Sequence, residues 1–390
     1  MTIPAIEGTN KVVSEKMFTI SGLRTAVFGL DELPPQVTEV ACLWLLNPRM
    51  LTWEYMRPLA AEAIGNWNEK LAAGIELADG TPRRGLIAAA FDQRNHGTRL
   101  EDELANESWR GGDTRHAQNM FSIYHGTSID ASQLLTHLPS YIFPPSEDGS
   151  QIQITNNLAM GISLGGHATW HMLLHDPRVS AGCVIVGCCD YIRLMTDRAD
   201  RSGLKTCESG LPPGGKFLGS VDFPNSLIDA VVERDPAGFL VGRKAVTGTG
   251  AGAGQEEFDK VQLVADDPAV SSERLLKHLG GKAILNLAGG ADKLVPYSCA
   301  EPFLTWLKSQ KPVVSRTLNV PNGEVPPPFV ADGAVFGDKN TVFLEDNIVE
   351  GVPHLTVANM VRMATRFVEQ VMSGTVGRAS PPASSKGPTI

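Results

Sequence analysis

Long apolar runs are missing from this sequence. A membrane-spanning helix needs about 18 unbroken apolar residues, and no stretch of the 390 residues approaches that length. Residues 1–16 also lack the basic-then-apolar order of a secretory signal peptide. We therefore expect no membrane partner and a cytoplasmic location.

Positive charge is scarce as well. The chain has 34 Lys and Arg against 43 Asp and Glu, which gives a net charge of -9 at pH 7. No concentrated basic patch interrupts it, and a nucleic-acid-binding protein needs such a patch. We therefore expect no nucleic-acid partner. The same net charge disfavours a strongly anionic substrate, unless arginines cluster at the site.

Cysteine is sparse and irregularly placed. The six cysteines stand at positions 42, 183, 188, 189, 207 and 299, and no pair has C-x-x-C spacing. This pattern is typical of reduced thiols in a cytosolic enzyme rather than of a disulfide framework. The adjacent Cys188 and Cys189 would form only a strained bridge, so we expect no functional disulfide there.

The residues that are present have the composition of an ordinary globular protein, with 42% apolar and 20% charged side chains. A chain of this length can bury a large core without disulfides. Strand-like and helix-like segments alternate along most of it, which predicts an α/β fold. The runs at 40–46, 85–91 and 282–287 are largely apolar. Such runs are expected in a mostly parallel central sheet with helices on both faces.

Two segments depart from this alternation. More than 90 residues separate the strand predicted near residue 186 from the one predicted at 282–287, where a crossover needs only about 10–12. We interpret 190–281 as an inserted cap over an active site, and 1–189 together with 282–372 as the core. Residues 373–390 are rich in Ser, Pro and Gly, and we predict a disordered tail there.

The motif Gly161-Ile162-Ser163-Leu164-Gly165-Gly166 lies where a predicted strand meets a predicted helix. It has the Gly-x-Ser-x-Gly pattern of a nucleophile elbow. Glycines flank the serine because the turn is so sharp that larger side chains would clash. The turn places the hydroxyl at a helix N-terminus, where N–H groups favour developing negative charge. Ser163 is the predicted nucleophile, and the backbone N–H of Leu164 is the predicted first oxyanion donor.

A serine nucleophile needs a base, and the base needs an orienting acid. On strand-elbow-helix turns these residues follow in the order Ser, acid, His. Of the nine histidines, only His354 comes after the strand predicted at 282–287, in a loop-like stretch before the last predicted helix. His354 is therefore the predicted base. Asp292 follows the same strand on a Gly-rich turn and is the predicted acid.

Together these motifs resemble those of the α/β-hydrolase superfamily. The matching residues are Gly161-x-Ser163-x-Gly165-Gly166, Gly290-x-Asp292-x-x-Val295-Pro296 and Gly351-x-x-His354, and the resemblance extends over about residues 15–372. The segment from Asp92 to Gly97 is similar to the Asp-x-x-Gly-His-Gly type of turn that follows the fourth strand in that superfamily. In its general texture, though in no motif, the sequence is similar to uncharacterised fungal members. The resemblance implies an α/β-hydrolase fold with an inserted cap.

The resemblance also leaves two site residues open. Some relatives place the acid after the preceding strand, which makes Asp190 the alternative to Asp292. Most relatives have His-Gly after the third strand, where this chain has Asn47-Pro48-Arg49. Proline has a fixed φ and no N–H, so the loop must differ in shape. The backbone N–H of Arg49 is the predicted second oxyanion donor.

These residues predict a serine hydrolase that cleaves an ester, thioester or lactone of a small organic substrate. The alternative is a non-hydrolytic biosynthetic enzyme on the same fold, performing acyl transfer, cyclisation or condensation. No cofactor is expected. His167, His171 and His175 share one helix face, but no carboxylate motif accompanies them, so we predict no metal. The sequence leaves homodimer formation open.

Overall fold

The computed structural model describes residues 11–145, 149–208, 216–247, 263–331 and 333–378. These residues form one nine-stranded sheet in the order β1-β2-β4-β3-β5-β6-β7-β9-β8. Its strands are β1 Glu15–Ile20, β2 Leu23–Phe28, β3 Glu39–Leu46, β4 Gly85–Phe91, β5 Gln153–Ile162, β6 Val179–Ile185, β7 Ala283–Gly289, β8 Val313–Val320 and β9 Val342–Val349.

Most of the sheet is parallel. The two antiparallel pairs are β1 with β2 and β2 with β4, and from β4 to β8 every neighbouring pair is parallel. Ser21 and Gly22 join β1 to β2 with φ values of 50° and 83°. Two consecutive positive φ values match the right-handed twist of a hairpin.

Helices cover both faces of the sheet. They are α1 Arg57–Ala72, α2 His116–Ile142, α3 Leu164–His175, α4 Tyr191–Ser202, α5 Lys205–Glu208, α6 Asn225–Arg234, α7 Pro236–Val241, α8 Arg243–Thr247, α9 Pro268–Leu279, α10 Tyr297–Ser309 and α11 Ala358–Ser373. Alternate residues of β3 belong to different cores: Trp44 packs with α2 and α3, and Leu43 packs with α1 and α11. The predicted α/β class, with a mostly parallel sheet and helices on both faces, is confirmed.

Helices α4 to α9 lie between β6 and β7, and none of their residues joins the sheet. Residues 209–215 and 248–262 of this segment lie outside the described residues. The division into a core and a cap over 190–281 stays a prediction.

Strands β8 and β9 are absent from the sequence prediction. β9 carries Glu345, Asp346 and Asn347 in its middle, and all three are buried. A buried strand of a parallel sheet is expected to be apolar, so this polar run prevents the strand from being recognised in the sequence. Ion pairs compensate the charges: Arg316 lies 2.6 Å from Glu345, and Lys308 lies 3.0 Å from Asp346.

The predicted tail is wrong in its first residues. Ser373 is the buried last residue of α11, and Gly377 forms a β-bridge with Val330. A hydrogen bond of 2.7 Å from the Ala331 N–H to the Gly377 carbonyl holds the segment against the core. Residues 379–390 lie outside the described residues.

Within the described residues, no helix is both long enough and apolar enough to span a membrane. All six cysteines are buried, and the described part of the chain contains no disulfide. Burial raises the pKa of each of the Cys42, Cys183 and Cys299 thiols. These thiols therefore stay protonated at neutral pH.

Candidate active site

Ser163 lies at the junction of β5 and α3 in a conformation that is rare for a residue with a side chain. Its φ is 54° and its ψ is -112°, and its N–H donates a 2.8 Å hydrogen bond to the Ile185 carbonyl. A Cβ on Gly161 would collide with the carbonyl of Gly165, and one on Gly165 would collide with the carbonyl of Leu46. Both glycines are therefore required by the close approach of three backbone segments.

Ser163, His354 and Asp292 form one line of hydrogen bonds. His354 Nε2 lies 2.9 Å from Ser163 Oγ, and His354 Nδ1 lies 2.7 Å from Asp292 Oδ2. The other carboxylate oxygen, Oδ1, accepts hydrogen bonds from the backbone N–H groups of Leu294, at 2.8 Å, and Val295, at 2.9 Å. Asp292 can accept but not donate when ionised. The imidazole therefore donates from Nδ1 and presents Nε2 to the serine hydroxyl.

Sheet topology brings these three residues together. Ser163, Asp292 and His354 follow β5, β7 and β9, and parallel strands end at the same edge of the sheet. The two loops from β7 and β9 are also bonded to each other. The Ala291 N–H donates a 2.9 Å hydrogen bond to the Val352 carbonyl, so a backbone hydrogen bond fixes the loop of Asp292 relative to the loop of His354.

Asp190, the alternative acid, has a different place. Its Oδ1 caps the N-terminus of α4 by accepting a 3.0 Å hydrogen bond from the Arg193 N–H. Its Oδ2 lies 3.4 Å from Arg193 Nε. Complete burial raises the pKa of Asp190 to about 6. The acid that the structure brings to His354 is Asp292.

The predicted oxyanion donors lie on two adjacent segments. Leu164 is the first residue of α3, so its N–H has no partner within the helix. The contact of Gly165 with the Leu46 carbonyl places the start of α3 beside the end of β3, and Arg49 follows three residues later. The oxyanion roles of the Leu164 and Arg49 N–H groups stay predictions.

The loop after β3 is shaped by Asn47. The Nδ2 group of this fully buried residue donates hydrogen bonds to the carbonyls of Pro48, at 3.1 Å, and Leu51, at 2.6 Å. Gln93 Nε2 donates to the Asn47 carbonyl from the neighbouring strand end. An amide side chain thus holds this turn from the inside.

The turn after β4 is held by Asp92. Its carboxylate accepts hydrogen bonds from the N–H groups of Trp53, at 3.1 Å, and Thr98, at 2.8 Å. Gly97 has a φ of 52°, and a Cβ there would overlap the Asp92 carboxylate. This supports a structural role for the segment from Asp92 to Gly97.

His167, His171 and His175 do not converge on one point. His167 Nδ1 lies 3.0 Å from the Cys188 N–H, His171 Nδ1 lies 3.3 Å from His125 Nδ1, and His175 Nε2 lies 2.7 Å from the Arg234 carbonyl. Among the described residues, no group of three or more His, Cys, Asp or Glu has an arrangement that could hold a metal ion.

Sequence analysis does not predict a buried pair, Arg198 and His116, that lies beside the turn containing Asp292. Arg198 of α4 donates from Nη1 to His116 Nε2 at 2.9 Å and from Nη2 to the Leu294 carbonyl at 2.9 Å. His116 Nδ1 in turn lies 2.7 Å from the Glu107 carbonyl. Burial, with the nearby charge of Arg198, lowers the pKa of His116 to about 3, so His116 is neutral. An arginine within a charged helical segment carries no sequence signal of burial.

No protein-family model and no curated protein sequence matches this chain. Among solved structures, it is similar to TT1662 from Thermus thermophilus, with 15% identity over 93% of this chain and 98% of that one and a TM-score of 0.50. It is also similar to an S-formylglutathione hydrolase from Agrobacterium tumefaciens, with 12% identity over 97% and 100% of the two chains and a TM-score of 0.42.

A third similar structure is the acylaminoacyl peptidase of Pyrococcus horikoshii, with 11% identity over 96% of this chain and a TM-score of 0.42. This chain spans only 43% of that peptidase. The sheet order, the two helical layers and the similarity to TT1662 together give the chain the α/β-hydrolase fold. The likeness to fungal members stays a prediction.

Proposed function

We propose that this chain is a serine hydrolase that cleaves an ester, thioester or lactone of a small organic substrate. The observation that carries the proposal is the line of hydrogen bonds from Ser163 through His354 to Asp292, at 2.9 Å and 2.7 Å. A nucleophile, a base within hydrogen-bond reach and a group that orients the base are the parts that nucleophilic catalysis requires.

In the first half of the reaction, Ser163 Oγ attacks the substrate carbonyl while His354 Nε2 takes the hydroxyl proton. The carbonyl oxygen becomes negatively charged, and the N–H groups of Leu164 and Arg49 are the proposed donors to it. The intermediate then expels the leaving group, which receives the proton from His354 Nε2. An acyl group remains on Ser163.

In the second half, water replaces the leaving group. His354 Nε2 takes a proton from the water as its oxygen attacks the acyl carbon, and the proton returns to Ser163 Oγ when the acid product departs. Asp292 stays ionised and stabilises the imidazolium that forms in both halves. Because its second oxygen is bonded to two backbone N–H groups, the carboxylate cannot rotate away from His354.

The strained backbone of Ser163 supports this role. A positive φ at a residue with a side chain is costly and persists only where the surrounding structure enforces it. Here the packing of Gly161 against Gly165, and of Gly165 against Leu46, enforces it. The strain directs Oγ toward His354 rather than into the sheet.

Exposed apolar side chains support an organic substrate with an apolar part. Met50, Leu294 and Leu355 are all well exposed. They belong to the loops that follow β3, β7 and β9. Met50 is therefore next to Arg49, Leu294 is two residues from Asp292, and Leu355 is next to His354. Apolar groups exposed around a site are a common mark of ligand binding.

Acyl transfer, cyclisation or condensation is the second candidate, and the loop after β3 favours it. Pro48 has no N–H to offer an oxyanion, so this loop departs from the turn that usually completes the oxyanion hole of a hydrolase. The products distinguish the candidates. Release of free acid from a simple ester, at a rate that an added alcohol does not change, would contradict acyl transfer.

The proposal is tested by intact-protein mass spectrometry after incubation with a fluorophosphonate. The wild type and Ser122→Ala, whose replaced hydroxyl is an exposed one on α2, should each gain one adduct. Ser163→Ala and His354→Ala should gain none, with circular dichroism to show that both are folded. Absence of an adduct on folded wild type, or labelling of Ser163→Ala, would refute an activated Ser163.

A further inference from the structure

The guanidinium of Arg198 is buried near the proposed site without an acidic partner. Arg198 is 6% exposed. Its Nη1 donates to His116 Nε2, at 2.9 Å, and to Met120 Sδ, at 3.0 Å, and its Nη2 donates to the Leu294 carbonyl, at 2.9 Å. All three acceptors are neutral, and within the described residues Arg198 makes no ion pair. Burial lowers the pKa of Arg198 to about 10, which still leaves it charged at neutral pH.

Arg49 is a second arginine without an ion pair in the described part of the chain, and its side chain is partly accessible to solvent. Its Nη1 donates a 2.9 Å hydrogen bond to the Asn106 carbonyl. In the described part of the chain, its Nε and Nη2 groups make no hydrogen bond and no carboxylate lies within 4.0 Å of the guanidinium. Glu107 and Asp113 favour its charged form from a distance, but burial is the larger effect and lowers the pKa of Arg49.

One of the two acids that favour the charged form of Arg49, Asp113, is hydrogen-bonded elsewhere. The Asp113 carboxylate accepts hydrogen bonds from the Arg115 N–H, at 2.8 Å, and from Asn119 Nδ2, at 3.1 Å. Within the described residues, neither Arg49 nor Arg198 forms an ion pair, and their hydrogen bonds go to neutral acceptors. After burial, the charge of Arg49 is the largest effect that lowers the pKa of Arg198.

Both arginines lie on segments that adjoin the proposed catalytic residues. Arg198 contacts the carbonyl of Leu294, and the N–H of that residue binds Asp292. Arg49 lies on the oxyanion loop, three residues after the Leu46 carbonyl that contacts Gly165. His167 is buried one helical turn after Ser163. Burial is the main cause of its lowered pKa, and the charges of Arg198, His354 and Arg49 lower that pKa further.

A buried cation without a counter-ion is costly, and an anion that enters beside it recovers part of that cost. The Nε and Nη2 groups of Arg49 form the edge of a planar fork, and a carboxylate matches this fork with two parallel hydrogen bonds. The net charge of -9 disfavours anions around the protein as a whole, so attraction here must be local.

We infer that Arg49, with Arg198 behind it, forms a cationic subsite that binds a free carboxylate of the substrate. The inference rests on the proposed function, because it names the substrate class of the same site: an ester, thioester or lactone that also carries a carboxylate. Arg49 makes the direct contact, and Arg198 keeps the local potential positive.

The test compares pairs of esters that differ in one negative charge. On the acyl side the pair is mono-p-nitrophenyl glutarate and p-nitrophenyl pentanoate; on the leaving-group side it is 4-acetoxybenzoate and 4-acetoxybenzamide. In at least one pair, the wild type should show a higher kcat/KM for the charged ester. Arg49→Met should lower that kcat/KM about 10- to 100-fold, as expected for lost charged hydrogen bonds, and should lower the ratio of kcat/KM for the charged ester to that for its neutral partner by a similar factor.

Two further variants refine the test. Arg110→Met removes an exposed arginine from the same region and should leave both members of each pair unchanged. Arg49→Lys keeps the charge but not the fork, so its effect should be intermediate. Equal kcat/KM within both pairs for the wild type, or equal losses for Arg49→Met and Arg110→Met, would overturn the subsite.

A binding measurement separates this inference from the proposed function. Ser163→Ala cannot turn over an ester, so calorimetry can follow its binding of glutarate monomethyl ester. Addition of Arg49→Met should weaken that binding by the same 10- to 100-fold. If no ester is hydrolysed and Ser163 is not labelled, the hydrolase proposal fails while this measurement still judges the subsite. Binding unchanged by Arg49→Met would overturn the subsite alone.

Discussion

At the scale of single residues, backbone space determines where the chemistry can be. The three-segment contact of Gly161, Gly165 and the Leu46 carbonyl leaves no room for a side chain, and the same contact brings the loop after β3 close to Ser163. The Gly-x-Ser-x-Gly motif therefore predicts that another backbone segment packs against the elbow, because glycine is required at position 165 only when such a segment is close. The identity of that segment depends on the sheet order.

The two candidate acids give a prediction at this scale. Asp292→Asn should reduce esterase activity by about 10⁴, because an amide favours the wrong imidazole tautomer, while the fold is kept. Asp190→Asn should change activity by less than about tenfold, since Asp190 contacts Arg193 and not His354. The measurement is kcat on a p-nitrophenyl ester for both variants. A larger loss in Asp190→Asn than in Asp292→Asn would reverse the assignment.

At the scale of elements, β9 shows how a central strand can be polar. Asp346 is fully buried, and its two oxygens accept hydrogen bonds from Asn286 Nδ2, at 2.9 Å, Tyr297 OH, at 2.7 Å, and Lys308 Nζ, at 3.0 Å. This network joins β7, α10 and β9 directly behind the loops that carry Asp292 and His354. A stable β9 is therefore a condition for the position of the base.

Loss of this network should be costly. Asp346→Ala leaves the partly buried Lys308 without its counter-charge and the buried Asn286 without its acceptor, and we expect it to reduce the free energy of unfolding by about 3–5 kcal/mol. Urea denaturation followed by circular dichroism measures the change. The double variant Asp346→Ala with Lys308→Met should recover part of the loss, since it removes the unpaired charge. A double variant no more stable than Asp346→Ala would argue against the ion pair as the cause.

At the scale of the whole molecule, the packing keeps several histidines neutral. Burial lowers the pKa of His116 and of His167 to about 3 and that of His175 to about 4. Their ordinary pKa is about 6.5. These residues lie on α2 and α3, which together cover one face of the sheet, so their charge state affects the packing of that entire face.

The pH dependence of stability follows from these shifts. A histidine with a lowered pKa in the folded state contributes stability that is complete above pH 6.5 and is lost as the pH falls toward its folded pKa. Each can weaken the fold by at most about 1.4 kcal/mol per pH unit between about pH 6 and its folded pKa, so we expect stability to fall as the pH is lowered through this range. Urea denaturation at pH 7.5, 5.5 and 4.5 measures this slope.

A matched pair of variants identifies the source of that slope. His167→Gln should flatten the pH dependence, whereas His137→Gln, which replaces an exposed histidine on α2, should leave it unchanged. An identical slope in His167→Gln and the wild type would mean that other groups cause the acid sensitivity.

The sequence by itself determined the α/β class, the elbow at Ser163 and the order of Asp292 and His354. These features follow from local rules, because apolar runs identify buried strands and a sharp turn requires glycine beside it. The sequence could not predict β8 and β9, because β9 buries charges whose partners, Arg316 and Lys308, come from β8 and α10.

Only the tertiary structure decided which acid meets the base and which charges are buried. Asp292 and Asp190 both follow strands, and only the distance to His354 separates them. The burial of Arg198, and the lack of an acidic partner for Arg49 within the described residues, depend on contacts between residues far apart in the chain. Desolvation is a property of the folded environment, so no pattern in the sequence could reveal it.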